Sequence, residues 1–433
     1  MKPFFMRLAT AGHNVTVLDT STSKTPRSFG SEINVIHIYL PSDDVRVIRG
    51  DIFWTSDTRS FVMPIMCGAS DLVVGDIIGK HKEELDRVLN EGWELVVMDE
   101  LFGLHQNAIS YYLKKTNNTP YIVFSTSQML MTTFINNAMD LIEHVSMRYF
   151  LSLSGGMKNM KRIASDDFTF SSFAKEASFS LSEHFDRFYF PMPEAADFKY
   201  TGAYCEKAKV LPEEYLKFIE DPISKGTIYV AFGSIIDWDS APEYVTQAFF
   251  RALEELSEYR IILSYSGTKE LDLGTHVKIT KWAPQFDVLS HEKTHLFISH
   301  GGLKSMKEAL CSKTPVLYMP IFAEQAMNSR MALEMGFART VNKYTVTSAI
   351  LLREIHEILD NYDVYHAKIS KLHEVYLDRI MPALDEGVFY AERVMRGHGD
   401  RADFKRKGID LAWTEYLYLD LFALFVVAFL LIK

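Results

Sequence analysis

The sequence predicts an α/β protein of two domains, and three observations lead to that prediction. The chain has 433 residues, 48% of them apolar, which is enough to bury two separate hydrophobic cores. Short apolar runs that suit buried parallel strands alternate with segments whose apolar residues recur at helical spacing. Glycine or polar residues follow several of these runs directly, as expected at the carboxyl ends of strands, where ligands bind in open α/β sheets.

The predicted elements follow one another in chain order. An amino-terminal helix carries Phe4, Phe5 and Leu8 on one face and ends at Gly12. The predicted strands span residues 13–18, 93–99, 227–232, 296–299 and 316–319. The other predicted helices span residues 76–90, 103–115, 345–359 and 382–396, and two more begin at Pro242 and near Leu303.

The chain is predicted to divide near Lys207, and its carboxyl end is predicted to lie in a membrane. The expected divisions are domains of residues 1–207 and 208–396, a polar linker of residues 397–415 and an apolar segment of residues 416–432. The apolar segment, interrupted only by Asp420, is at the short end of what crosses a bilayer, and aromatic residues cluster at its start. It therefore predicts a single transmembrane helix, with a buried helix of a soluble domain as the alternative.

A paired-glycine turn predicts a phosphate site. The strand ending at Ser299 is followed by His300 and by Gly301-Gly302, which allow a tight turn into the next helix. The first amides of that helix have no internal partners and carry the positive end of its dipole, so they can bind a diphosphate without a metal. Ser305, in the first turn, can add a hydroxyl donor, and His300 can add a ring N–H.

Residues on either side of this turn suit the rest of a nucleotide-sugar. Trp282 offers a flat face for a base, and Gln285 can pair with the base edge. Glu308, one turn after the phosphate-binding hydroxyl, can accept both ribose hydroxyls, and Glu324-Gln325, after the next strand, can hold sugar hydroxyls. Each residue alone also has an ordinary structural role open to it, such as a core aromatic or a simple turn.

Together these residues form a pattern with a specific resemblance. The spacing W-x2-Q, then HGG-x2-S-x2-E, then P-x4-P-x3-EQ covers residues 282–325 without a gap. It resembles the signature of the UDP-glycosyltransferases, the animal branch that includes the UDP-glucuronosyltransferases. The resemblance implies a GT-B fold, in which two Rossmann-like domains face a cleft, and a UDP-sugar that is a co-substrate rather than a cofactor.

The resemblance also assigns roles to individual residues of the second domain. It implies that Trp282 and Gln285 contact uracil, that Glu308 contacts ribose, that His300, Gly302 and Ser305 contact the diphosphate, and that Glu324 and Gln325 contact the sugar. Gly233 and Ser234, which end the strand that opens this domain, are expected to approach the phosphates from the opposite side. A plain turn is the alternative there.

The first domain is expected to bind the acceptor and to contribute the general base. By the register of the resemblance, the catalytic histidine falls a few residues before Met1, and His13 matches a structural histidine instead. Asp99, at the end of a predicted strand, matches the aspartate that orients the base, although a helix-capping role is the alternative. We therefore expect little or no transfer activity from this chain. The family reaction inverts the anomeric configuration and uses no metal.

The composition of the chain limits the kinds of ligand and partner that the protein can bind. A formal charge of -10 without a basic stripe excludes a nucleic-acid groove. Cys67, Cys205 and Cys311 match no metal or redox spacing, so we expect them to be buried apolar residues that form no disulfide framework.

Residues 129–150, rich in methionine and aromatic residues, suit a pocket for small lipophilic acceptors, with ordinary core packing as the alternative. Asn117 begins an N-glycosylation sequon in a polar turn.

Two hypotheses follow from the sequence. The first is a single-pass membrane enzyme of the endoplasmic reticulum, with luminal domains, that transfers glucose or glucuronic acid to lipophilic acceptors. The second is a non-catalytic, membrane-anchored protein that binds a UDP-sugar. The sequence does not decide between glucose and glucuronic acid, and it leaves open whether the protein forms a homo-oligomer.

Overall fold

The computed structural model describes residues 1–41, 50–55, 62–100, 105–126, 157–188, 195–399, 411, 413–416 and 418–432. Within these ranges the strands form three parallel sheets of two, four and six strands. The stretch 129–150, predicted to supply an acceptor pocket, and most of the linker 397–415 lie outside the described residues.

The helices and strands are named here in chain order. The strands are β1 (Val15–Ser21), β2 (Ile33–Tyr39), β3 (Val96–Asp99), β4 (Tyr121–Ser125), β5 (Phe179–Ser182), β6 (Phe198–Tyr200), β7 (Thr227–Ala231), β8 (Arg260–Ser264), β9 (Val277–Thr280), β10 (Thr294–Ser299), β11 (Val316–Tyr318) and β12 (Ala338–Thr340). The helices of the first half are α1 (Lys2–Thr10), α2 (Gly50–Thr55), α3 (Val62–Lys80), α4 (Lys82–Asn90), α5 (His105–Asn117), α6 (Lys158–Ile163) and α7 (Phe170–Glu176). The helices of the second half are α8 (Glu213–Ile219), α9 (Glu243–Glu255), α10 (Gln285–Leu289), α11 (Leu303–Ser312), α12 (Gln325–Met335), α13 (Ser348–Asp360), α14 (Tyr362–Leu377), α15 (Ala383–Arg396), α16 (Trp413–Tyr416) and α17 (Leu419–Ile432).

The first half of the chain contains two separate parallel sheets. One pairs β1 with β2, and the other has the order β3-β4-β5-β6. The predicted strand 93–99 begins only at Val96, where pairing with β4 starts, because Trp93 instead donates its indole N–H to the carbonyl of Val88 on α4. The segment predicted as one helix over residues 76–90 is helical except at His81, which separates α3 from α4 because its φ of -130° and ψ of 43° are not helical.

The second half of the chain contains one six-stranded parallel sheet of order β12-β11-β10-β7-β8-β9. Strands β7, β8, β10 and β11 are almost entirely buried, whereas the edge strands β9 and β12 are partly exposed. The sheet lies between two apolar clusters, one centred on α9 and α13 and the other on α11, α12 and α14. Strands buried on both faces require continuous apolar runs, which is why buried strands of this half can be predicted from the sequence. The carboxyl ends of β7, β10 and β11 lie side by side at one edge of the sheet.

Each half of the chain places a helix on the other half. Helix α2 inserts Phe53 and Trp54 into the core beneath the six-stranded sheet, where the indole N–H of Trp54 donates to the carbonyl of Asp237 at 3.0 Å. Helix α15 returns in the opposite direction and packs Val388, Ala391 and other side chains against α1, β4 and β5. These contacts link the two α/β units.

The expectation that the cysteines form no disulfide is wrong. Cys205, in the segment between β6 and α8, is bonded to Cys311 in the last turn of α11, with Cα atoms 5.5 Å apart. The two positions are 106 residues apart in sequence. Because nothing local links positions that far apart, the spacing of the cysteines gave no indication of the bond.

The transmembrane helix predicted for residues 416–432 is not confirmed. Among the described residues, no helix is both long enough and apolar enough to cross a membrane. Helix α17 has 14 residues, which corresponds to about 21 Å at the usual helical rise. Tyr418, between α16 and α17, has a φ of 52°, which is outside the right-handed helical region.

Candidate nucleotide-sugar site

The predicted phosphate turn joins β10 to α11. Gly301 has a φ of 89°, a conformation that side chains rarely adopt, and Gly302 is the N-cap residue of α11. The carbonyl of Gly301 accepts a hydrogen bond of 2.9 Å from the buried side-chain amide of Asn328 on α12. This hydrogen bond from α12 holds the turn in place, and the first amides of α11 are directed at the carboxyl edge of the sheet.

His300 is held between two glycines. A Cβ atom built on Gly233 would lie 3.0 Å from Nε2 of His300, and one on Gly302 would lie 2.6 Å from the same atom. Burial lowers the pKa of His300 to about 4, so the ring is neutral at physiological pH. Among the described residues, its Nδ1 atom is buried without a hydrogen-bond partner. The structure thus brings together the residues predicted to approach the diphosphate from two sides.

The predicted base-binding and ribose-binding residues contact each other. The side-chain amide of Gln285, the first residue of α10, donates to the carboxylate of Glu308 and, at 3.3 Å, to the hydroxyl of Ser305. Burial raises the pKa of Glu308, and the hydrogen bond from Gln285 acts in the opposite direction. Ser305 and Glu308 lie one turn apart on α11, and Gln285 reaches both from α10, so a nucleoside bound there would contact all three side chains.

Two predicted ligand-binding groups are open to solvent. The indole of Trp282 is 75% exposed, and its backbone carbonyl is fixed by the hydroxyl of Tyr215 at 3.1 Å. Gly233 and Ser234, immediately after β7, are also exposed. An aromatic face that is exposed while its backbone is held in place suits stacking of a base.

The predicted sugar-binding pair lies at the start of α12. Burial raises the pKa of the Glu324 carboxyl, whereas the backbone amides of Glu324 and Leu303 act in the opposite direction. Gln325 is buried, and its side-chain oxygen accepts hydrogen bonds from the amides of Ile321 at 2.9 Å and Phe322 at 3.0 Å. The contacts of this pair with a sugar stay a prediction.

Asp99 is the last residue of β3, in the other α/β unit. Its carboxylate accepts a hydrogen bond of 2.9 Å from the hydroxyl of Thr126, and its backbone amide donates to the side chain of Gln106 at 3.2 Å. Since β3 and β4 are parallel neighbours, both groups lie at the carboxyl edge of their sheet. The role of Asp99 in orienting a base stays a prediction.

Sequence reasoning missed a group of charged residues between the two units. Lys304 and Lys307 lie on α11, and the ammonium group of Lys307 is 3.0 Å from the centroid of the Tyr204 ring. The hydroxyl of Tyr204 donates to Glu183, directly after β5, at 2.9 Å. Burial lowers the pKa of Lys307 to about 8, against the opposing effect of Glu183 and Glu206. The signal in the sequence was two lysines three residues apart near the start of the helix that is predicted to bind phosphate.

Comparison with solved structures defines the class of fold. The chain is similar to UDP-glucose: anthocyanidin 3-O-glucosyltransferase, with a TM-score of 0.62 and 17% sequence identity over 91% of this chain and 95% of that chain. It is also similar to the glycotransferase of kitacinnamycin, with a TM-score of 0.62 and 17% identity over 90% and 94% of the two chains. The protein has the GT-B glycosyltransferase fold, as the sequence predicted.

Comparison of sequences then identifies the family. Residues 68–433 match the family described as UDP-glucoronosyl and UDP-glucosyl transferase, and the chain belongs to this UDP-glycosyltransferase family. Curated relatives include UDP-glucuronosyltransferase 2C1 of Oryctolagus cuniculus, 32% identical over 56% of this chain and 47% of the relative. UDP-glucuronosyltransferase 2A2 of Homo sapiens is 32% identical over 57% of this chain and 44% of the relative. The matched region thus spans a little under half the length of these relatives.

Proposed function

We propose that this protein transfers a hexosyl group, glucuronic acid or glucose, from a UDP-sugar to small lipophilic acceptors with inversion at the anomeric carbon. The observation that carries the proposal is the convergence of His300, Gly233 and Gly302 beside the amino end of α11. The Gln285, Ser305 and Glu308 side chains meet along the same helix. Phosphate and ribose would thus be bound by one element.

The site supports the departure of UDP. The first amides of α11, which have no partner within the helix, and the positive end of its dipole stabilise the negative charge that develops on the diphosphate. Neutral His300 adds a ring N–H to this environment, and the side chain of Glu308 accepts the ribose hydroxyls. We propose that Asp99 orients a histidine base that takes the acceptor proton.

Titration of the chain with UDP in a calorimeter tests the donor site. We expect binding of UDP by the wild-type protein and much weaker binding by Trp282→Ala, while uridine competes with UDP for the site. A folded chain that binds no UDP at millimolar concentration would refute the donor assignment. Turnover of UDP-glucose and UDP-glucuronic acid with a phenolic acceptor then tests for activity.

A non-catalytic protein that binds a UDP-sugar is the second candidate. It is favoured by the hydrogen bond that Thr126 makes to Asp99, which occupies one oxygen of the carboxylate proposed to orient the base. A chain that binds UDP but transfers no sugar from UDP-glucose or UDP-glucuronic acid would support this second candidate. Measurable transfer by the chain would exclude it.

The disulfide supports a location in an oxidising compartment, and we propose the lumen of the endoplasmic reticulum. Asn117 is exposed at the end of α5, where a luminal domain could carry a glycan. Digestion with an N-glycosidase that shifts the protein's mobility in a gel would support this location. Membrane anchoring through residues 416–432 stays a prediction.

A further inference from the structure

A groove beside α12 is separate from the residues predicted to bind the UDP-sugar. Its cavity of about 320 Å³ lies between α12, the loop that follows β11 and the segment that leaves β12. The face of α12 that borders the groove carries four residues at helical spacing, Ala326, Ser329, Arg330 and Leu333. Asn328, which holds the phosphate turn, lies on a different side of the same helix. A cavity of this volume has room for a small organic molecule.

The walls of the groove are held in place by hydrogen bonds within the protein. The side-chain oxygen of Gln325 accepts hydrogen bonds from the backbone amides of Ile321 and Phe322, in the loop that follows β11. The buried ammonium group of Lys343 donates to the carbonyl of Ile321 at 2.6 Å and to the carbonyl of Phe53 at 2.6 Å. The groove is therefore formed before any ligand binds, and less conformational entropy is lost on binding.

The lining of the groove combines apolar surface with positive charge. The exposed side chains of Leu333 and Tyr344 contribute apolar surface. Arg330 and Lys343 contribute two cations, and no carboxylate lines the groove among the residues that the structure describes, although the chain has a formal charge of -10. Glu334 pairs with Arg330 at 2.9 Å on the surface, where such pairs are weak. The five N–H donors of the guanidinium group allow it to bind a second carboxylate.

We propose that this groove is a second ligand site, which binds a small organic anion with an apolar body, such as an aromatic carboxylate. The apolar body lies against Leu333 and the ring of Tyr344, and the carboxylate accepts hydrogen bonds from the guanidinium group of Arg330. The ammonium group of Lys343, 5.0 Å from the centre of the Tyr344 ring, adds to the attraction for an anion. Binding in the groove does not require UDP, because the groove and the phosphate turn lie on different sides of α12.

Calorimetric titration with 2-naphthoate and 2-naphthamide tests the proposal, because the two probes share an aromatic body and only the first is charged. We expect the wild type to bind 2-naphthoate about five- to tenfold more tightly than 2-naphthamide. Arg330→Met should remove that difference, and Tyr344→Ala should bind both probes about fivefold more weakly. Arg87→Met is the matched control and should bind both probes as the wild type does. Arg87 is 65% exposed, Arg330 is 69% exposed, and each pairs with a glutamate four residues later.

Equal affinities of the wild type for the two probes would overturn the proposal, and so would no binding of 2-naphthoate at millimolar concentration. Unchanged affinities in both Arg330→Met and Tyr344→Ala would show that the probes bind elsewhere and would also overturn it. Saturating UDP should leave the affinity for 2-naphthoate unchanged, whereas competition between the two would place the probe in the nucleotide site and refute a second site. Because both substituted side chains are exposed, a loss of binding at an unchanged melting temperature supports the groove. A folded wild type that binds 2-naphthoate but no UDP would refute the donor site alone.

Discussion

Breaking the bond between Cys205 and Cys311 should cause a large loss of stability. The two residues are 106 positions apart, and closing a loop of that length restricts the denatured chain by an amount worth ~5 kcal/mol at 25 °C. Strain and residual structure usually reduce this value, so we expect Cys205→Ser to lower the free energy of unfolding by about 2–5 kcal/mol. The loss should be similar in Cys311→Ser and in the double variant, because each substitution breaks the same bond.

Urea denaturation followed by circular dichroism measures this loss, and the reduced wild-type protein is its control. A reductant should lower the stability of the wild type to that of the variants and leave the variants unchanged. Thiol titration in denaturant should find one free thiol per chain before reduction and three after it, since two of the three cysteines are bonded to each other. Three free thiols in the unreduced protein, or additive losses from the two single variants, would refute the reasoning.

Three further predictions concern the donor site. Gly302→Ala should weaken UDP binding about tenfold or more, because the new Cβ atom would lie 2.6 Å from Nε2 of His300 and displace the ring. Unchanged UDP affinity in calorimetry would contradict the placement of His300 at the diphosphate. Trp282→Ala should also bind UDP about tenfold more weakly. Because Trp282 is 75% exposed, this variant should keep the wild-type melting temperature. A large fall in the melting temperature would show that the tryptophan belongs to the core instead. Burial raises the pKa of Glu308. If its ionised form accepts the ribose hydroxyls as we propose, UDP affinity should fall as the pH is lowered through that raised pKa. Glu308→Gln should bind UDP more weakly at neutral pH with a flatter pH profile, and equally steep profiles for the two proteins would argue against the ribose role.

Strands β7, β10 and β11 of the donor half were predictable from sequence because they are buried on both faces, whereas β8, β9 and β12 were not predicted. A continuous apolar run such as 296–299 indicates a buried strand when a glycine turn and a helical pattern follow it. The observed strand β10 begins at Thr294, two residues earlier than predicted, where pairing with β7 starts. The residue types next to the turn therefore predict its position, whereas pairing with β7 determines where β10 begins.

Features that depend on distant contacts were not predictable in the same way. The pairing of Cys205 with Cys311 and the cover that Tyr204 gives Lys307 both join residues about one hundred positions apart. The contact between Gln285 and Glu308 also escaped prediction, because the sequence pattern assigns each residue separately to a predicted ligand rather than to the other residue. Side chains that are complementary to a ligand can also be complementary to each other when the ligand is absent.

The exchange of helices α2 and α15 has a consequence for how the protein unfolds. Trp54 is 1% exposed inside the carboxyl-terminal half, while Ala391 is completely buried against the amino-terminal half. Cutting the polypeptide between its halves would leave an aromatic cavity in one fragment and an uncovered apolar groove in the other, so neither fragment should remain soluble alone. Denaturation should accordingly be a single cooperative event rather than two successive transitions, and truncated versions for crystallisation should retain both exchanged segments.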